Sequence, residues 1–481
     1  MTKHIITLLI FSLILFILML MVGSELITSF LFSISIFIGL LNAKLLKGTK
    51  TIWGLLLYIL TYKYILIAAI LKIISLSPID QNLKIPILTT FIVFLSFLGI
   101  LFAIIFFKKI SNLNTYKEGL LLKFTFNKKD YLIMTFLLIV FGSIGSLLRQ
   151  LSDGDMPYYY KLFTLFIPLS SLAIYTFVEY FYKKGKKNYL FNIYILILVT
   201  FQISIGLLSA SKADLMLPIL IYSLIIIKHK GFFYKPLHVT LVAVSFIFIF
   251  IIYPYSQVVR YMGVKEGSFE ERLAVIEKIN LNVLEEGINE FEKKYGDRSY
   301  LPIYLMSLNR FAMIGEANVL INATYKKQDF TNFETIIWGL QYASPSFVPW
   351  KKPVGTGNYL GHYTGQIAMT DDVTNISYGI FANAYNAFNL DGVLLIVFIF
   401  YLVFFFYTYA FFGNPMPFSF YWFILFISYQ HVISEATIAG FTALLLRLPF
   451  SIFLLILMLK TINFIFFSFP KKRRYTIQGK K

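Results

Sequence analysis

Apolar runs of about 20 residues, the length a helix needs to cross the hydrocarbon of a bilayer, recur along this chain. They lie near residues 4–22, 26–43, 51–76, 87–107, 131–148, 161–182, 189–208, 213–228, 237–255, 392–412, 418–435 and 441–462. Twelve such runs leave few folds open. Inside lipid every backbone N–H and C=O must be satisfied within its own segment, so a chain built this way forms a helical bundle. The expected fold class is therefore all-α: a polytopic membrane protein with about 12 transmembrane helices. Composition agrees, with 58% hydrophobic residues and only 14% charged ones, whereas soluble domains are about a quarter charged.

The net charge of +19 would suggest nucleic acid in a soluble chain. Here the lysines sit in short clusters between apolar runs, as the positive-inside rule describes, and a nucleic-acid partner is not expected. The clusters are Lys44, Lys47 and Lys50, then residues 108–129, 183–187, 228–235 and the tail 471–481. They fall at every second connection. Both termini are accordingly placed in the cytoplasm, and the lysine-poor turns at 23–25, 77–86, 149–160 and 209–212 lie outside. The first run shows no cleavage site and reads as an uncleaved first helix.

One connection differs in size. Residues 256–391 contain no span-length apolar stretch and hold fifteen of the 24 acidic residues; by parity they form one large extracytoplasmic loop. The chain thus divides into an N-terminal bundle of about nine helices (1–255), the partly helical loop (256–391), and about three C-terminal helices with a basic cytoplasmic tail (392–481). Within the loop, residues 268–295 carry apolar side chains at three-to-four-residue spacing, which predicts an amphipathic helix. A second helix is expected over 300–320, and prolines and glycines from 345 to 361 predict an irregular segment.

Absent cysteine removes disulfides, thiolate metal sites and cysteine nucleophiles. No P-loop, nucleophile elbow, HExxH motif or other metal-ligand pattern occurs, and no cofactor is implied. The candidate chemistry rests on ionisable groups near the membrane edge. Lys63 lies within a 26-residue apolar run, so it is either functional or snorkels to an interface. Lys212, after the turn Ser209-Ala210-Ser211, stands where a helix N-terminus meets an anion, although Ser211 and Asp214 also suit simple capping. Arg260 and Arg149, at outer helix ends, are either phosphate clamps or interfacial anchors. Arg310 and Glu316 lie six residues apart on an apolar stretch, a spacing that does not pair them on one helix face. His362, beside Tyr363 and near Asp371 and Asp372, can take a proton near neutral pH, or it is a solvated loop histidine. His431 and Glu435, with Arg447, form either a polar cluster or packing glue.

This layout resembles the Wzy-type O-antigen and capsule oligosaccharide repeat-unit polymerases. The residues that carry the likeness are the turn 209–212 and the stretch 379–392, Gly-Ile-Phe-Ala-Asn-Ala-Tyr-Asn-Ala-Phe-Asn-Leu-Asp-Gly. Lys212 stands where that family often has arginine, and Phe388-Asn389 where it often has Phe-Gly. The resemblance implies a bacterial inner-membrane enzyme, a metal-independent glycosyltransferase whose donor is an undecaprenyl-diphosphate-linked oligosaccharide. It leaves room for a chain-length regulator and a flippase as partners. Arg260 and Arg310, helped by Lys212, Arg149, Glu316 and Tyr363, would hold the substrates, with His362 or an outer-loop acid as base. A polysaccharide ligase shares this layout and donor. A lipid-linked oligosaccharide flippase fits less well, since it calls for charges along several spans and small loops.

Overall fold

The computed structural model describes residues 2–111, 119–121, 123–151, 163, 165–208, 212–235, 312–344, 355–367, 369 and 376–467. Among them there is no strand, and seven helices are long and apolar enough to cross a membrane. These spans are His4–Met21, Leu26–Lys50, Ile52–Ile74, Pro86–Ile110, Lys128–Leu148, Ile380–Phe412 and Ile438–Ile465. The protein is an all-helical, membrane-embedded bundle.

In chain order the helices are α1 (Thr2–Met21), α2 (Leu26–Leu45), α3 (Ile52–Thr61), α4 (Ile67–Ile74), α5 (Pro86–Ile110), α6 (Lys128–Leu137), α7 (Gly145–Leu151) and α8 (Leu172–Lys183). There follow α9 (Ile193–Leu208), α10 (Lys212–Lys230), α11 (Met313–Lys327), α12 (Glu334–Ala343), α13 (Thr356–Thr364), α14 (Ile380–Phe412), α15 (Phe420–Glu435) and α16 (Ile438–Phe467). Four of the expected spans appear as the shorter or more charged helices α8, α9, α10 and α15. The run 237–255 lies outside the described residues, as do the 268–295 helix and the basic tail.

Local chemistry sets several helix starts. Thr51 accepts from the Gly54 N–H at 3.2 Å at the head of α3. At α6, Asn127 accepts from the Lys129 and Asp130 N–H groups while Asp130 accepts from Asn127 N at 2.8 Å, a capping box. The span 52–74 is not a uniform α-helix: residues 62–66 form one turn of π-helix between α3 and α4. Such a turn inserts one extra residue and re-aims the side chains beside it.

The core is aromatic. Phe107 on α5 meets Phe405, Phe406 and Tyr409 of α14 with ring centroids 5.4–5.6 Å apart, and the Trp53 indole donates to Thr408 at 3.0 Å. Polar groups within the spans find partners there, as an apolar solvent demands: Asn42 donates to the Phe97 carbonyl at 2.9 Å, and Thr135 pairs with Thr176 at 2.9 Å. Helix α1 is apolar all round and exposes Ile6, Leu9, Leu13 and Ile17, the surface of a helix bathed in lipid.

The two ends of the bundle differ. At one end lie the lysine-rich connections, joined by Lys183 to the Phe126 carbonyl and by the Glu179 carboxylate to Lys228 and His229. The other end is closed by Ser24 on Ile79 N, Asp80 on Glu25 N and Lys72 on the carbonyls of Pro78, Ile79 and Gln81. Helices α11, α12 and α13 gather at this second end.

Candidate functional site

Helix α11 is fastened to the bundle by Asn318, which accepts from Lys84 N at 2.9 Å and donates to Thr89 at 2.7 Å. Its last turn carries Lys326 and Lys327, where cations complement the helix dipole, and Gln328 at φ 53° ends it. Helix α13 begins after Gly355 and ends at Gly365, whose φ of 73° suits a left-handed stop. Between these helices and the 77–86 turn opens a cavity of about 380 Å³. Lys84, Lys326, Lys327, His362, Tyr363 and Thr364 line it, together with the side of α11, and no carboxylate is among its described lining residues.

The three ammonium groups meet no carboxylate in an ion pair among the described residues. Lys327 is held in place by its own neighbours: its Nζ lies 4.3 Å from the Tyr363 ring centroid and donates to the Tyr363 carbonyl at 2.6 Å. Tyr363 in turn donates from its hydroxyl to the Asp329 carbonyl at 3.1 Å, and burial, opposed by the Thr324 hydrogen bond and aided by the Asp329 charge, leaves that hydroxyl above its ordinary range. His362 Nδ1 is buried without a hydrogen-bond partner among the described residues. An orphaned ring nitrogen at the wall of a cationic cavity is a costly arrangement unless something else uses it.

Behind the cavity runs a relay. The Tyr378 hydroxyl donates to Gln366 at 2.6 Å and lies 2.6 Å from the Thr364 hydroxyl, while Gln366 donates to Glu316 at 3.4 Å. Burial pushes the Tyr378 hydroxyl up, so it stays a donor. Of the residues expected from the sequence, His362 and Tyr363 thus meet at the cavity, and Glu316 stands behind it. Arg260, Arg310, Asp371 and Asp372 lie outside the described residues. Arg149 falls in α7 and Lys212 opens α10.

Two expectations are corrected. The segment expected to be irregular up to 361 contains most of α13, the helix that carries His362, because Gly355 and Gly365 serve as the helix's two ends and bracket it rather than breaking it. Among the described residues, the helix expected over 300–320 begins only at Met313, after an extended Ala312, and runs on to Lys327, which is what delivers Lys326 and Lys327 to the cavity. Sequence reasoning does not reach those lysines or Lys84, because the positive-inside rule makes lysine a marker of the opposite, cytoplasmic end. The available signal was the exception itself: bases in segments assigned to the acidic outer face.

A second cluster lies deeper. Lys63 Nζ pairs with Glu435 Oε1 at 2.6 Å, and Glu435 Oε2 meets His431 Nδ1 at 3.1 Å. The π-turn at 62–66 carries Lys63, so its ammonium is matched by a partner across the bundle rather than drawn to an interface. Arg447 does not join them; its guanidinium donates to the Tyr342 carbonyl.

No family model, no curated protein and no solved structure matches the chain.

Proposed function

We propose that this protein polymerises undecaprenyl-diphosphate-linked oligosaccharide repeat units into surface polysaccharide on the outer face of the bacterial cytoplasmic membrane. The chain on this reading has twelve spans, with the lysine-rich end and both termini in the cytoplasm and residues 256–391 outside. The observation that carries the proposal is the cavity with a histidine and three lysines in its wall, none of the three in an ion pair among the described residues, in a membrane-embedded chain. Such a cavity suits a doubly charged leaving group on a lipid.

In the proposed reaction the acceptor hydroxyl oxygen attacks the anomeric carbon of the donor sugar. The bond from that carbon to the diphosphate oxygen breaks, and the lipid diphosphate leaves with the electron pair. His362 takes the hydroxyl proton as general base. Lys84, Lys326 and Lys327 stabilise the charge that grows on the diphosphate, in the manner of fixed cations aimed at a developing anion. On this reading Arg260 and Arg310, which lie outside the described residues, supply further phosphate contacts, and Glu316 orients Gln366 behind the site.

A gel of surface polysaccharide from cells lacking the protein, restored with wild type, with Lys326→Ala/Lys327→Ala or with His362→Ala, tests this. The expected result is loss of the long ladder with single-repeat material still attached in each variant. Loss of all attached glycan would point to a ligase, and an unchanged ladder would overturn the proposal.

A further inference from the structure

Helix α12 belongs to the connection that the sequence assigns to water, yet it packs along α16, whose first part lies in a candidate membrane span. Only one of its ten residues, Glu334 in the first turn, is charged. Gly339 sits so close to α16 that a Cβ there would meet Thr442 Cβ at 2.7 Å and the Ala439 carbonyl at 3.0 Å. Three residues further on, the Tyr342 carbonyl receives the Arg447 guanidinium. The two helices therefore run side by side in the same direction, and α12 follows the first part of α16, which lies within the candidate span Ile438–Ile465.

The outer face of α12 carries Ile337 and Leu340, exposed by 50% and 42%, and continues into Phe333 just before the helix, which is 63% exposed although one edge of its ring meets Phe388. On the neighbouring α16, Phe450, Phe453 and Leu457 are similarly exposed, at 55%, 52% and 49%, as befits a span facing acyl chains. The apolar surface of α12 continues that face. The helix end gives a second line of evidence. Carbonyls at a helix C-terminus have no partner in the helix itself, and in hydrocarbon they need a donor. Ser344 supplies N–H to the Leu340 carbonyl and hydroxyl to the Gln341 carbonyl, at 3.0 and 2.7 Å, and Arg447 supplies the guanidinium to Tyr342. A cation inside a span and the negative end of a helix dipole thereby neutralise one another.

We propose that α12 is a re-entrant helix seated in the bilayer, its Phe333–Ile337–Leu340 face in contact with lipid acyl chains and its C-terminus held by Arg447. The site's wall is continuous with it: Trp338 meets Tyr359 at 5.1 Å, and Tyr359 meets Tyr363 of the cavity at 6.4 Å. The inference depends on membrane embedding alone and stands whether or not the protein acts on glycans.

The chain has no cysteine, so single cysteines can be placed at Ile337, Leu340, Phe450 and Asp329 and labelled with a nitroxide in nanodiscs. Accessibility to oxygen and to a water-soluble nickel chelate is then read by electron paramagnetic resonance. The labels at 337 and 340 are expected to match that at 450, open to oxygen and shielded from nickel, while the label at 329 shows the reverse. Nickel access at 337 and 340 like that at 329 would overturn the proposal, and so would an immobile label closed to both reagents, which would mean that protein covers the face.

Discussion

The cavity collects three lysines that make no ion pair among the described residues, so an anion entering it meets their ammonium groups. A charge-assisted hydrogen bond contributes about 1.5–3 kcal/mol, which is roughly a tenfold change in affinity at the lower end. Lys326→Ala and Lys327→Ala are each expected to weaken inorganic pyrophosphate binding by the purified protein about tenfold, measured by calorimetry, with the loss shrinking as salt rises. If both variants bind as wild type does, the anion site lies elsewhere. Lys63 and Glu435 use their charges differently, on each other. Removing Glu435 leaves Lys63 without its counter-charge and removing Lys63 leaves Glu435 with His431 alone; a pair fully withdrawn from water loses about 3–5 kcal/mol when one member goes, whereas replacing both is far milder. Lys63→Met and Glu435→Gln should each lower the apparent melting temperature in detergent more than the double variant does. Equal and additive losses would show that the pair is incidental. Of these residues, Lys63, His431 and Glu435 stood out in the sequence as charges inside apolar runs. Their pairing did not, because the partners are 372 residues apart and a π-turn that no periodicity signals sets the direction of Lys63.

Helices that apolar length dictates were legible, and those that tertiary contact dictates were not. Runs such as 87–107 and 131–148 were found at nearly their observed bounds, since the bilayer imposes their length whatever their neighbours do. Helix α13 was missed because its glycines argue against helix until the ends they form are seen, and α12 because ten residues are too few to read as a span. The start of α14 shows why contact matters. Gly379 holds φ 78° and ψ 159°, a backbone region essentially closed to other residues, and a Cβ there would lie 2.7 Å from the Tyr64 hydroxyl. Strain of this kind costs about 1–3 kcal/mol before any clash is counted. Gly185, at φ 76°, has nothing within 4 Å of its missing Cβ. Gly379→Ala should therefore lower the melting temperature clearly more than Gly185→Ala, and equal shifts would show that Tyr64 yields without cost. Arg447→Leu is expected to destabilise by about 1–3 kcal/mol, by stranding the Tyr342 carbonyl, although leucine is the better residue for lipid. A neutral or stabilising result in the same melting assay would mean that water reaches that carbonyl.

At the scale of the whole molecule, one asymmetry organises everything else: bases gather at one end of the bundle, and the cavity with its helices at the other. The alternation of lysine-rich and lysine-poor connections was readable from the sequence because translocation selects against lysine in short outer loops. The cavity was only half readable, because the same rule made lysine look uninformative at the face where Lys84, Lys326 and Lys327 assemble. A glycosyl transfer between lipid-linked units requires that face to be outside, since its acceptor and donor are both presented there, and the orientation can be measured without assuming the reaction. Asp329 and Lys186 are both exposed and lie at opposite ends. In intact cells a membrane-impermeant maleimide is expected to label Asp329→Cys and to label Lys186→Cys only after permeabilisation. The reverse pattern would place the cationic cavity in the cytoplasm, beside soluble phosphates. The lipid-diphosphate donor would then have to be given up, while the anion-binding site and the re-entrant helix, which depend on local geometry, would stand.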